Sequence, residues 1–165
     1  MKYRKWYINA LSMSPIAKIT SIILCIALGT ACALADDQAD IKNASFAAEK
    51  FINDYLSTNH GSYQAVIKWV NQRKDVFPIF KERLAKLYMD ALKQDPEVGY
   101  GADAILSGIE YIGTKYRVVD TFFGRAHITV TLQATAPAGC THRVDVVMME
   151  DNGRWLVQSC GDVPM

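Results

Sequence analysis

Arg143-Val-Asp-Val-Val-Met-Met-Glu-Asp-Asn-Gly-Arg-Trp-Leu-Val157 is the stretch that decides the fold. Val144, Val146 and Met148 alternate with polar or outward positions, the period of a half-buried strand. Asp151-Asn152-Gly153 then interrupts the apolar pattern. An Asn-Gly pair suits a two-residue hairpin because that turn needs positive φ at both central positions. Trp155 and Val157 resume the same face on the return strand. A tight hairpin here sets Asp151 against Arg154 and, carried along without interruption, Cys160 against Asp145.

Working back from this hairpin, two more β-rich stretches appear. Ala126 to Gln133 alternates Ile128, Val130 and Leu132 on one face, and Tyr116 to Phe123 is rich in β-branched and aromatic residues. Gly124-Arg125 and Pro137 to Gly139 are the connections. The half before them has helical spacing. Phe46, Ala47, Phe51, Ile52, Tyr55 and Leu56 mark a helix over Asp40 to Thr58, with Asn59-His60-Gly61 as its stop. A short helix runs from Tyr63 to Gln72. A third reaches Lys93 with Phe77, Phe80, Leu84, Leu87 and Ala91 on one stripe, Pro78 in its first turn and Asp75 as its cap. Asp95-Pro96 ends it, and an irregular centre follows with Gly99-Tyr100-Gly101 and the apolar Ala104-Ile105-Leu106. Helices first and a meander after predict an α+β domain with the helices on one face of a curved antiparallel sheet.

The first 35 residues read as an address. Lys2, Arg4, Lys5 and Lys18 precede an uncharged run from Ile19, which ends in Ala33-Leu-Ala35 before Asp36-Asp37. Charge, apolar core and small residues at −3 and −1 are the pattern of a secretory signal peptide cleaved after Ala35. The run of about 17 residues is short of the roughly 20 that span a bilayer. An uncleaved anchor and lipidation at Cys32 are the competing fates, and Met13 offers a second start. The expectation is a signal peptide over 1–35, a single domain over 36–165, a periplasmic or secreted location, and no stable membrane span after cleavage.

The whole chain has 18 basic and 17 acidic residues, net +1. Taking away the leader's four basic residues leaves 14 against 17, net −3. A mildly acidic domain without a basic cluster longer than Arg73-Lys74 argues against nucleic-acid binding. Cys25 and Cys32 leave with the leader. Cys140 and Cys160 remain, and in an oxidising compartment an even pair predicts a disulfide, with two buried thiols as the alternative.

The Phe46 to Leu56 helix, the Asp95 to Asp103 centre and the Glu150 to Val157 ending together resemble the nuclear-transport-factor-2-like, or cystatin-like, α+β cone. Within that group the chain is similar to an exported bacterial family of unknown function. The resemblance implies a conical sheet wrapped around a helix, with a pocket at the open end. It also implies a wide choice of roles, among them enzymes, ligand binders and toxin-neutralising immunity proteins, so the site has to decide function.

Most chemistries find no support in the residues. His60, His127 and His142 are far apart, and no metal-ligand spacing occurs. No nucleophile elbow and no phosphate loop is present, and no motif calls for a cofactor. For acid–base work Asp120, Tyr116 and Asp103 are the residual candidates, because the inward strand faces are apolar. Binding remains: Tyr100 between two glycines, the acidic Glu97 and Asp103 beside it, and Phe122 of the Phe122-Phe123 pair are the candidate contacts for a protein partner or small ligand in the cell envelope. The expected function is therefore a non-enzymatic binding protein, an immunity protein being one version. A small cone-fold isomerase, dehydratase or hydrolase is the alternative.

Overall fold

A computed structural model describes residues 37–58, 61–108 and 114–165. The leader lies outside the described residues, as do His60 and Tyr111. Residues 37–56 form helix α1, and from Ala39 onward they belong to a compact unit that ends at Met165. Helices α2 (Tyr63–Gln72) and α3 (Pro78–Gln94) follow. Strands β1 (Lys115–Phe123), β2 (Ile128–Ala136), β3 (Arg143–Asp151) and β4 (Arg154–Cys160) then complete the unit. The strands make one antiparallel sheet in the order β1-β2-β3-β4, and the three helices pack against it. The sheet does not close into a barrel. The architecture is α+β.

The apolar faces read from the sequence are the buried ones. Ile128, Val130 and Leu132 lie opposite Met148, Val146 and Val144, and all six are buried. Asn152 and Gly153 both have positive φ (53° and 76°), so the hairpin turn takes the primed form that matches strand twist. The helices add one detail the spacing left open and differ from expectation in two. On α1 the buried stripe runs through Ala44, Ala48, Phe51, Ile52 and Tyr55, and Phe46 turns outward, 73% exposed. On α3 the stripe is Phe80, Leu84 and Tyr88, with Leu87 and Ala91 only half-buried. Asp75 does not cap α3. Phe77 occupies that place without a side-chain cap, and Asp75 instead receives Arg73. The Arg73 guanidinium also reaches Asp54 (2.9 Å) and lies 4.8 Å from the centre of the Trp69 ring. A desolvated cation over an aromatic face and between two carboxylates pins the end of α2 to α1.

Each outer edge of the sheet is partly covered. On β1 the Asn53 amide exchanges two hydrogen bonds with the Tyr116 backbone (3.0 Å each), and Glu49 accepts from the Val118 N–H (3.2 Å). α1 thus supplies side-chain partners where a further strand would sit. On β4 the Asp75–Phe77 segment makes a short parallel bridge: Val157 N–H donates to Asp75 O, and Phe77 N–H to Val157 O. Covered edges are the usual defence of an open sheet against association.

Cys140 and Cys160 are two thiols here, not the expected disulfide. The hairpin register holds from Asp151↔Arg154 to Met148↔Val157, and then a bulge shifts it. Cys160 consequently faces Val146, not Asp145. Its thiol points to the Ile105 carbonyl, 3.2 Å away, and burial pushes its pKa up. Cys140 lies beyond Arg143, the first residue of β3, in a loop closed by its own N–H to Pro137 O. The strand from Val146 back to Arg143 alone covers about 10 Å, whereas a disulfide needs Cα atoms within about 7 Å.

Candidate functional site

The irregular centre between α3 and β1 is ordered by carboxylates. Asp95 Oδ1 accepts from the Glu97 and Val98 N–H groups, turning the chain after α3. Asp103 Oδ1 accepts from Ile105 N–H and Leu106 N–H, both at 2.9 Å, and Asp103 and Gly108 bridge through their backbones. This local cap buries Ala104-Ile105-Leu106 against the sheet. From the far end of the chain, Asp162 Oδ2 accepts from the Tyr100 hydroxyl (2.8 Å) and Oδ1 from the Ser107 hydroxyl (2.7 Å). Asp162 N–H also donates to Ala104 O. Ser107 sits at φ 52°, a left-handed conformation that non-glycine residues adopt sparingly and that surrounding contacts must hold.

Tyrosines from all three helices converge on this loop. Tyr55 of α1 donates to Asp103 Oδ2 at 2.7 Å. Tyr63 of α2 stacks on Tyr88 of α3, ring centres 4.6 Å apart, and Tyr100 meets Tyr88 edge-on at 6.0 Å. Tyr63 also donates to Val98 O and accepts from Gly101 N–H. Gly99 has positive φ, and a Cβ there would fall 2.6 Å from the Tyr63 ring, so the glycine lets loop and ring approach. Beside this cluster opens a cleft of about 620 Å³, lined by the end of α1, the start of α2, the second half of α3 and the central loop. That volume lies within the range of about 300–1,000 Å³ usual for small-molecule sites.

Tyr100 and Asp103 are drawn together around Tyr88, but in different roles from those the sequence suggested. Tyr100 is not an exposed tip. Its ring is half-buried on Tyr88 and its hydroxyl is engaged by Asp162. Asp103 lines the cleft. Glu97 is exposed on the loop and Phe122 is exposed on β1, and neither lines the cleft. Of the acid–base candidates, Tyr116 is buried beneath the sheet with its hydroxyl 2.7 Å from His142 Nδ1, and Asp120 is exposed and accepts from Thr121 N–H. Tyr55, Tyr63 and Asp162 were missed. Their partners stand 48, 35 and 62 residues away in sequence, beyond the reach of local spacing. The short Asp103-Ala-Ile-Leu106 run was the one local signal, an aspartate placed to cap the two N–H groups that follow it. Among the described residues no group of His, Cys, Asp and Glu could hold a metal ion. A second, shallower hollow of about 430 Å³ lies over Arg73, Lys74 and Arg154.

Burial and the Asp103 charge push the Tyr55 and Tyr88 hydroxyls well above the ordinary phenol range. Burial and the hydrogen bond to Asp162 push Tyr100 up to about 12. Below pH 10 these phenols are neutral whether the chain is folded or not. Above it the unfolded phenols ionise first, so stability falls as pH rises. In an alkaline titration, phenolate absorbance from these three tyrosines should appear together with loss of far-ultraviolet ellipticity. Ionisation of all the tyrosines with ellipticity intact would contradict this.

The chain matches no protein-family description, no curated protein and no solved structure. Among the described residues no helix is long and apolar enough to cross a membrane.

Proposed function

We propose that this chain is an exported, periplasmic or secreted, non-enzymatic binding protein of the nuclear-transport-factor-2-like kind, and that it holds a small ligand in the cleft beside Tyr55 and Asp103. The observation that carries this reading is the state of the Asp103 carboxylate. Oδ1 already accepts two backbone N–H groups and Oδ2 the Tyr55 hydroxyl. A general base works through an oxygen held free for the substrate's proton, whereas three of the roughly four acceptor positions of this carboxylate are used in shaping the loop. Among the described residues no histidine, cysteine or lysine lines the cleft to partner it. What the cleft offers is shape, aromatic and aliphatic walls, and a few fixed polar groups, which is the composition of a binding site.

Gly61 lies on the cleft rim, and a Cβ there meets nothing within 4 Å. Gly61→Trp therefore narrows the cleft without disturbing the core. Thermal-shift screening of residues 36–165 against a small-molecule library should give ligands that stabilise the parent and not this variant. Ligands that stabilise both equally would place binding elsewhere, and turnover of any of them would favour the enzyme.

A further inference from the structure

We propose that the ligand taken by this cleft is a small organic cation, an ammonium group carried on a compact apolar body. This rests on the reading of the cleft as a ligand site and adds the chemistry of what enters it. The first ground is charge. Among the described lining residues Asp103 is the sole charged side chain. Every ion pair of the described residues involves Asp54, Asp75 or Asp90. Among the described residues, Asp103 and the neighbouring Asp162 are therefore carboxylates with no Lys or Arg at ion-pair distance. Asp103 is held by one hydroxyl and two N–H donors and Asp162 by two hydroxyls, which orient a carboxylate without cancelling its charge. The field of Asp103 is felt around it, since it helps to raise the pKa of Tyr55, Tyr88 and Cys160.

The second ground is the wall. Tyr63, half-buried on Tyr88, brings an aromatic ring to the cleft, and Leu56, Leu92 and Leu106 add apolar surface. Aromatic faces beside a carboxylate attract an ammonium by its charge, and aliphatic surface takes its carbon body. Among the described lining residues an anion would meet Asp103 with no compensating cation. A neutral apolar solute would fit the walls but gain nothing from the uncompensated charge.

The test uses three probes of one shape on residues 36–165, followed by calorimetry and by shifts of the tyrosine ring resonances. They are choline, dimethylbutanol as its uncharged carbon isostere, and dimethylbutyrate as the anion. Choline should bind about ten-fold tighter than dimethylbutanol, and dimethylbutyrate more weakly than both. Gln64→Lys places a positive charge on an exposed position of the cleft lining and leaves the core untouched. It should abolish the preference for choline. Asp103→Asn retains an acceptor for the loop N–H groups while removing the charge, and should bring choline and dimethylbutanol to equal affinity. Equal affinity in the parent protein would overturn the cation and leave the ligand cleft standing. Absence of binding by all three up to about 10 mM, ten-fold above a millimolar dissociation constant, would overturn both. Phosphatidylcholine vesicles separate the sources of such a cation. Vesicle retention that Gln64→Lys removes assigns a lipid headgroup, and choline binding without retention assigns a free solute.

Discussion

Gly161→Ala is expected to destabilise the domain by about 3 kcal/mol, lowering the melting temperature by roughly 10 °C. Gly161 lies just past β4 at φ +57°, and a Cβ built there would fall 2.4 Å from Ile105 O and 2.5 Å from Ala104 O. The clashing atoms are backbone, so no side-chain rotation relieves them. The left-handed conformation adds roughly 1 kcal/mol for any residue with a Cβ. The control is Gly153→Ala at the hairpin tip. Its φ is +76°, yet nothing lies within 4 Å of the new Cβ, so only the conformational part is lost, about 1 kcal/mol. Thermal or urea unfolding of both variants measures the difference. Equal losses would mean that the 104–105 segment does not press on Gly161, and that the central loop is seated less closely against the end of β4.

That contact explains where sequence reading stops. The hairpin was legible because a two-residue turn fixes register locally, and the pairing from Asp151↔Arg154 to Met148↔Val157 follows from Asn152-Gly153 alone. The bulge beyond Val157 was not legible. Nothing in Gln158-Ser159 announces an extra residue, yet it sets Cys160 against Val146 and turns its thiol toward the central loop. The alternating faces of β2 and β3 were legible because one side of the sheet is buried. The outward turn of Phe46 was not legible, because aromatic spacing on a helix does not say which of two adjacent stripes meets the core. For α1 the choice fell to the stripe with Ala44 and Ala48, small enough for close approach. Tyr100 between its glycines carries every local mark of an exposed tip. Its actual place is decided by Asp162 and Tyr88, which no local pattern ties to it. The candidate site was legible only at Asp103, and the tyrosines around it come together through tertiary packing.

Asp103→Ala is expected to be the other severe substitution, costing about 3 kcal/mol. It removes the acceptor of three hydrogen bonds at once, from the Tyr55 hydroxyl and the Ile105 and Leu106 N–H groups. Ile105 and Leu106 are buried, as is Tyr55, and each buried donor left without a partner costs about 1–3 kcal/mol, less where water enters from the cleft. Asp103→Asn keeps an acceptor for the two N–H groups and should lose no more than about 1 kcal/mol. Tyr55→Phe deletes one donor and leaves the loop cap intact, for a loss near 1 kcal/mol. Because Tyr55 and Asp103 are in direct contact, the losses should not add: Tyr55→Phe made in the Asp103→Ala background should have little further effect. Urea unfolding of the four variants, compared at unchanged m-value, measures each step. Additive losses would mean that Tyr55 and Asp103 stabilise the fold separately. A loss below 1 kcal/mol for Asp103→Ala would mean that water replaces the carboxylate, so that the loop holds its shape without it. In that case Asp103 would be kept for what it presents to the cleft.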